Sequence, residues 1–217
     1  MRSKIILSIE TSSTICGVSV FNGNKIMSTI ERESNRKHAE ILPGFIKELL
    51  KDSDISLDSL DAIAISIGPG SFTGLRIGLG FAKGIAFAQN LPIIPVPTIQ
   101  SLAYSLKRIE PLNGIVYSHS SKVYFQEFQW DNGLPIPQKK PLIGDINLFI
   151  DHLKNENSFQ SNCDRLISKS NSIFNTQPSS KYIGELAIHN FDDWIIEKPY
   201  ELVPEYIAEF EINNANG

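Results

Sequence analysis

Gly68-Pro69-Gly70-Ser71-Phe72-Thr73-Gly74-Leu75-Arg76-Ile77-Gly78 ends a strand and starts a helix within eleven residues. Before it runs Ala62-Ile63-Ala64-Ile65-Ser66-Ile67, a short apolar segment that reads as a buried strand. Gly-Pro-Gly then breaks the strand, because glycine admits positive φ and proline fixes its own φ. Ser71 or Thr73 can cap the next element, a helix predicted from about Phe72 to Gln89.

That helix carries only Arg76 and Lys83 as charges after Gly74, so its composition leaves almost no face suited to water. Gly74, Gly78, Ala82 and Ala86 recur every four residues as one small-residue ridge, and Gly80, Gly84 and Ala88 form a second. Ile77, Phe81 and Ile85 stand between them as an apolar crest. Interior glycine costs about 0.5–1 kcal/mol against alanine, so Gly74, Gly78, Gly80 and Gly84 imply a penalty of roughly 2–4 kcal/mol that close packing must offset. The expectation is a helix gripped on nearly all sides, by its own sheet and by a second body.

Working outward, Lys4 to Ile9 reads as a strand, Glu10-Thr11-Ser12-Ser13-Thr14 as a polar turn, and Ile15 to Phe21 as a second strand. Asn22-Gly23 signals a type I′ hairpin into a third strand, Lys25 to Glu31. This order is the opening of an actin-like ATPase lobe, in which the first turn faces a nucleotide phosphate. Glu10 stands where an aspartate is usual, and Thr11-Ser12-Ser13 replaces the glycines that let backbone approach a phosphate. From Arg36 to Lys51, Leu42, Phe45, Ile46, Leu49 and Leu50 have amphipathic-helix spacing, with Pro43 inside the pattern and His38 one turn earlier. Leu91 to Pro97 reads as a proline-limited edge strand and Thr98 to Lys107 as a helix.

The chain of 217 residues has 41% apolar and 20% charged residues, which is ordinary globular composition with room for two lobes. A net charge of −4 argues against a broad nucleic-acid footprint. Cys16 and Cys163 are too few for a disulfide framework or a thiolate metal site. No run is long and apolar enough to span a bilayer, and Met1-Arg2-Ser3-Lys4 leads into a strand, so a cytoplasmic protein is expected.

Three segments together resemble the TsaB family, also called YeaZ: Arg36-Lys37-His38-Ala39-Glu40-Ile41-Leu42-Pro43, the run from Gly68 to Gly78, and Ala82-Lys83-Gly84. The resemblance covers about residues 4–105. It implies an α/β, actin-like ATPase (ribonuclease H-like) fold in two lobes, and a non-catalytic subunit of the bacterial machinery that makes threonylcarbamoyladenosine in tRNA. It further implies a heterodimer with a TsaD-like catalytic subunit. TsaD transfers the threonylcarbamoyl group that TsaC supplies as an adenylate, and a TsaE-like ATPase acts through the complex. In the family the helices matching 36–51 and 72–89 form the joint. That carries over to His38, Leu42, Phe45 and Leu49 on the first helix and to Gly74, Leu75, Ile77, Gly78, Phe81, Ala82 and Ile85 on the second. Like-with-like packing also admits a homodimer. On this reading Gly78→Leu or Ala82→Arg weakens partner binding while the fold survives.

The catalytic relatives bind metal through an Asn-His-Met-Glu-Gly-His segment. Here the matching stretch is Pro97-Thr98-Ile99-Gln100-Ser101-Leu102, with Thr98 and Leu102 at the histidine positions, so no metal or cofactor is expected. His119, His152 and His189 show no ligand spacing, and there is no Walker-type loop or Gly-x-Ser-x-Gly elbow. The alternative is an autonomous actin-like enzyme (transferase, kinase or peptidase) using Glu10 and the Gly68–Gly74 turn, where a helix N-terminus can hold an anion, or His38 as a base.

The first lobe is expected to span residues 1–104 and the second 105–217. In the latter, Gly114 to Tyr117 and Lys122 to Phe128 read as strands around Ser118-His119-Ser120-Ser121, which departs from the family's Asp-Ala-Arg turn. Helices fall loosely around 146–153 and 181–189, and Trp130, Trp194, Tyr200 and Tyr206 read as packing residues.

Overall fold

A computed structural model describes residues 2–34, 36–155, 157–167, 173–205 and 207. Tyr206 therefore lies outside the described residues. The chain opens with strands β1 (Ile5–Glu10), β2 (Ile15–Asn22) and β3 (Lys25–Glu33), followed by helix α1 (His38–Asp52), strand β4 (Ala62–Gly68), helix α2 (Phe72–Gln89), strand β5 (Ile93–Pro97) and helix α3 (Thr98–Ser105). The five strands form one sheet in the order β3-β2-β1-β4-β5. β1, β2 and β3 pair antiparallel through the expected hairpin, where Gly23 takes φ +57°. β4 and β5 join in parallel, each fed by a helical crossover.

Alternation along β1 sorts its side chains between two cores. Leu7 and Ile9 face α1 and α2, where Val18, Leu42, Leu49, Ile63, Ile65 and Ala82 complete the cluster. Ile6, with Ala62, Ala64, Ile94 and Val96, faces the opposite side. β5 has the edge position its prolines demand.

The second half continues with β6 (Asn113–His119), β7 (Lys122–Asp131), β8 (Leu134–Pro137), β9 (Leu142–Asp145), α4 (Ile150–Asn155), β10 (Ser158–Ser161) and β11 (Ile173–Asn175). β7 is antiparallel to β6 and to β9, while β10 lies parallel to β6 and to β11. The order β9-β7-β6-β10-β11 thus repeats the first sheet strand for strand, with β8 paired to the far end of β7. The fold is the two-lobed actin-like α/β fold.

Helix α5 (Ser180–His189) is where the expected division into 1–104 and 105–217 meets a complication. It comes after the second sheet in the chain yet lies on the first, where Ile183, Leu186 and Ala187 fill the core under Ile6 and Val96. Gly184 is required there, since a Cβ would stand 2.0 Å from the Phe21 ring. Glu31 on β3 anchors the helix start: its Oε1 accepts from the Ser180 amide at 2.6 Å and from the Ser179 and Ser180 hydroxyls at 2.9 and 2.7 Å. After α5 come α6 (Phe191–Trp194) and a short 3-10 turn, Pro199–Glu201. Among the described residues no helix is long and apolar enough to cross a membrane.

Candidate partner surface and inter-lobe cleft

The cleft between the lobes encloses about 820 Å³, and its floor is the meeting of the first turn with the start of α2. Ser71 caps α2, its hydroxyl accepting from the Gly74 amide at 3.2 Å. Backbone from the first turn lies against this end of the helix. Ser71 N–H donates to the Ser12 carbonyl at 2.7 Å, and Leu75 N–H to the Ser71 carbonyl at 2.8 Å. A Cβ on Gly70 would lie 2.4 Å from the Ser12 oxygen, and one on Gly74 2.0 Å from the Thr11 oxygen. These two glycines let two turns of backbone touch, which sets the Thr11 and Ser12 carbonyls against the start of α2.

Glu10 lies beneath that contact, fully buried. Its Oε1 accepts from the Ser12 amide, while Oε2 and the hydroxyls of Thr11 and Ser12 have no hydrogen-bond partner among the described residues. Burial pushes the Glu10 carboxyl up to about 7, against the pull of the Ser12 amide. Burial likewise pushes the Cys16 and Cys163 thiols up to about 12, which makes both poor nucleophiles.

His38 borders the cleft, but its ring ties the start of α1 to the sheet, bonded to the Ser34 hydroxyl at 3.0 Å and the Ile15 carbonyl at 3.2 Å. The two positions that match metal histidines in the catalytic relatives serve packing. Thr98 Oγ1 accepts from the Gly68 amide at 3.2 Å, and Leu102 is buried in the core. Among the described residues no three His, Cys, Asp or Glu side chains gather to hold a metal ion.

The eleven residues expected at a partner joint divide sharply. His38, Leu42, Phe45, Leu49, Gly74, Leu75, Gly78 and Ala82 are buried in the chain's own lobe, and Ile77, Phe81 and Ile85 are half-buried. The first small-residue ridge is therefore used internally: a Cβ on Gly78 would meet Thr11 Oγ1 at 2.2 Å, and Ala82 is fully enclosed. Gly78→Leu or Ala82→Arg would strike the core, which corrects the expectation that they spare the fold.

The helix also has an open side, contrary to a rod gripped all round. Thr73, Arg76, Gly80, Gly84, Phe87 and Ala88 are exposed, and Phe87 is 91% accessible. Among the described residues a Cβ on Gly80 or Gly84 would meet nothing within 4 Å. Both charges on this helix are engaged within the chain. The Arg76 guanidinium stacks 3.7 Å from the Phe72 ring centroid, and Lys83 Nζ donates to the Tyr200 carbonyl at 2.9 Å. On α1, Gly44 also faces open space, beside exposed Glu40, Pro43 and Lys47.

Both ridges are legible in the sequence, but nothing in it tells which one faces outward. Nor does any sequence signal mark the segment 199–205 as a neighbour of α2. Leu202 packs on the α1/α2 core and the Glu205 amide donates to Ile67 O at 2.8 Å. Tyr200, expected to pack, is 66% exposed.

The family model of TsaD, tRNA N6-adenosine threonylcarbamoyltransferase, matches residues 26–130. The chain is 30% identical over 222 residues to the tRNA threonylcarbamoyladenosine biosynthesis protein TsaB of Buchnera aphidicola subsp. Baizongia pistaciae, covering 95% of this chain and 99% of that protein. It is 33% identical over 131 residues to the TsaB protein of Haemophilus influenzae, a match to 58% of this chain and about half, 55%, of that protein. Among solved structures, YeaZ from Pseudomonas aeruginosa superposes with a TM-score of 0.80 at 20% identity, over 94% of this chain and all of that one, a likeness of fold.

Proposed function

The chain belongs to the TsaB family of tRNA threonylcarbamoyladenosine biosynthesis proteins, and on that premise we propose that it is a non-catalytic scaffold subunit of that modification. It binds a TsaD-like catalytic subunit along the open faces of α1 and α2. A TsaE-like ATPase acts through the resulting complex, which works in the cytoplasm.

The observation that carries this reading is the pair Gly80 and Gly84. Glycine at an exposed helix position costs about 1 kcal/mol against alanine, and no described residue lies within 4 Å of a Cβ added at either position to require it. A second backbone lying along α2 supplies the requirement. The match of residues 26–130 to the TsaD model supports the choice of partner. A protein of that family carries its own counterparts of α1 and α2, and two related helix pairs can pack about a pseudo-two-fold axis. A non-catalytic role is supported by the first turn, where Thr11-Ser12-Ser13 stands in place of the glycines that let backbone approach a phosphate and the Thr11 and Ser12 carbonyls face the start of α2.

Titration of the purified chain with the TsaD-like subunit of the same genome tests the proposal. A saturable 1:1 complex is expected, with at least a tenfold loss of affinity for Gly84→Leu and a melting temperature of the isolated variant no lower than that of the parent. Full affinity in Gly84→Leu, or no complex at all, would overturn it.

A further inference from the structure

The open faces of α1 and α2 are two narrow strips. Eighteen residues make α2 about 27 Å long and fifteen make α1 about 22 Å. Strips about 10 Å wide along both project to roughly 500 Å², a narrow footprint that an element beside them would widen toward the size of a stable interface.

We infer that the segment 199–205 is a third wall of this docking surface, presenting Tyr200 and Val203 to the TsaD-like subunit; this rests on the function proposed above. At 100° per residue, Lys83 borders the open strip of α2 on the side opposite Phe81 and Ile85, and Lys83 Nζ holds the Tyr200 carbonyl there at 2.9 Å. Leu202 is sunk in the α1/α2 core, and the Glu205 amide is bonded to Ile67 O at 2.8 Å. The segment is thus fixed at three points along six residues. Between these anchors it turns two large apolar side chains outward, Tyr200 at 66% and Val203 at 63% exposure.

An exposed tyrosine on a pinned backbone has the character of an interface anchor, because little freedom remains to be lost on binding. The segment also lies outside residues 26–130, the part of the chain that matches the TsaD model. On this reading it gives the heterodimer contacts beyond those of the shared helix pair.

The test measures affinity for the TsaD-like subunit and, separately, self-association of the chain, for Tyr200→Ser/Val203→Ser beside Gly84→Leu. The double variant is expected to weaken the heterodimer at least tenfold, leave self-association within twofold, and melt within about 2 °C of the parent. If Gly84→Leu abolishes binding while the double variant binds within twofold, the third wall is refuted and the helix-face reading stands. If the double variant instead weakens self-association alone, the wall serves a second copy and the assignment fails. If Gly84→Leu binds normally, the underlying reading fails first.

Discussion

Glu10 is a fully buried carboxyl with only part of its hydrogen bonding met among the described residues. Burial raises it to about 7, with Glu31 pushing in the same direction, so the native protein prefers this group protonated while the unfolded chain ionises it near the ordinary value of about 4.5. The native state therefore binds more protons between those two values, and this group's contribution is whole below about pH 4.5 and is lost as pH rises through 7. The loss is worth on the order of 3 kcal/mol at neutral pH. Glu10→Gln keeps an acceptor for the Ser12 amide and removes the ionisation. Urea unfolding of the variant is expected to show a gain of that order at pH 7.5 and almost none at pH 4.5; an equal gain at both would mean that packing, not charge, is responsible. The sequence placed Glu10 at the first turn but could not show it sealed, because the seal is made by Gly70 and Gly74, about sixty residues away along the chain.

At the scale of elements, α1 and α2 differ in how much their sequences reveal. α1 announces its buried face by spacing, and Leu42, Phe45, Ile46, Leu49 and Leu50 are all buried. α2 is apolar or small at nearly every position, so periodicity cannot orient it and its two glycine ridges look equivalent. Only the neighbours tell them apart: Thr11 against Gly74 and Gly78, open space beside Gly80 and Gly84. Substitution should therefore have opposite effects on the two ridges. Gly78→Leu must displace Thr11 and is expected to destabilise the isolated chain by about 3 kcal/mol. Gly80→Ala and Gly84→Ala relieve a backbone penalty and are each expected to stabilise it by about 1 kcal/mol, while weakening the complex with the TsaD-like subunit. Melting curves and titrations of the same samples check both halves. A variant more stable alone and weaker in partnership is the signature of a face kept small for another protein; a Gly84→Ala that destabilises the isolated chain would contradict it.

For the whole molecule, the second sheet repeats the order of the first, yet only its two leading strands were legible in the sequence. The rest are short: Leu142–Asp145, Ser158–Ser161 and Ile173–Asn175 have four, four and three residues. Ser158 to Ser161 are all buried, so no alternation marks them. The same difficulty hid the role of α5, whose apolar face does not say which sheet it covers. Because α5 shields Ile6, Ala62, Ala64, Ile94 and Val96, the first lobe is not expected to stand as residues 1–104. A fragment of residues 1–110 would keep α3 with Tyr104 but leave the part of the sheet that α5 covers exposed to water. Each large apolar side chain left bare costs about 1.5–3 kcal/mol, and a handful of them equals the entire stability of a typical domain. The fragment is expected to bind a hydrophobic dye and to melt without a cooperative transition. Joining residues 176–205 to it through a flexible glycine-serine linker returns α5 and its Glu31 anchor, and should restore a sharp melt. A fragment of residues 1–110 that unfolds cooperatively within a few degrees of the full chain would show instead that α5 is an accessory to the first lobe and not its fourth wall.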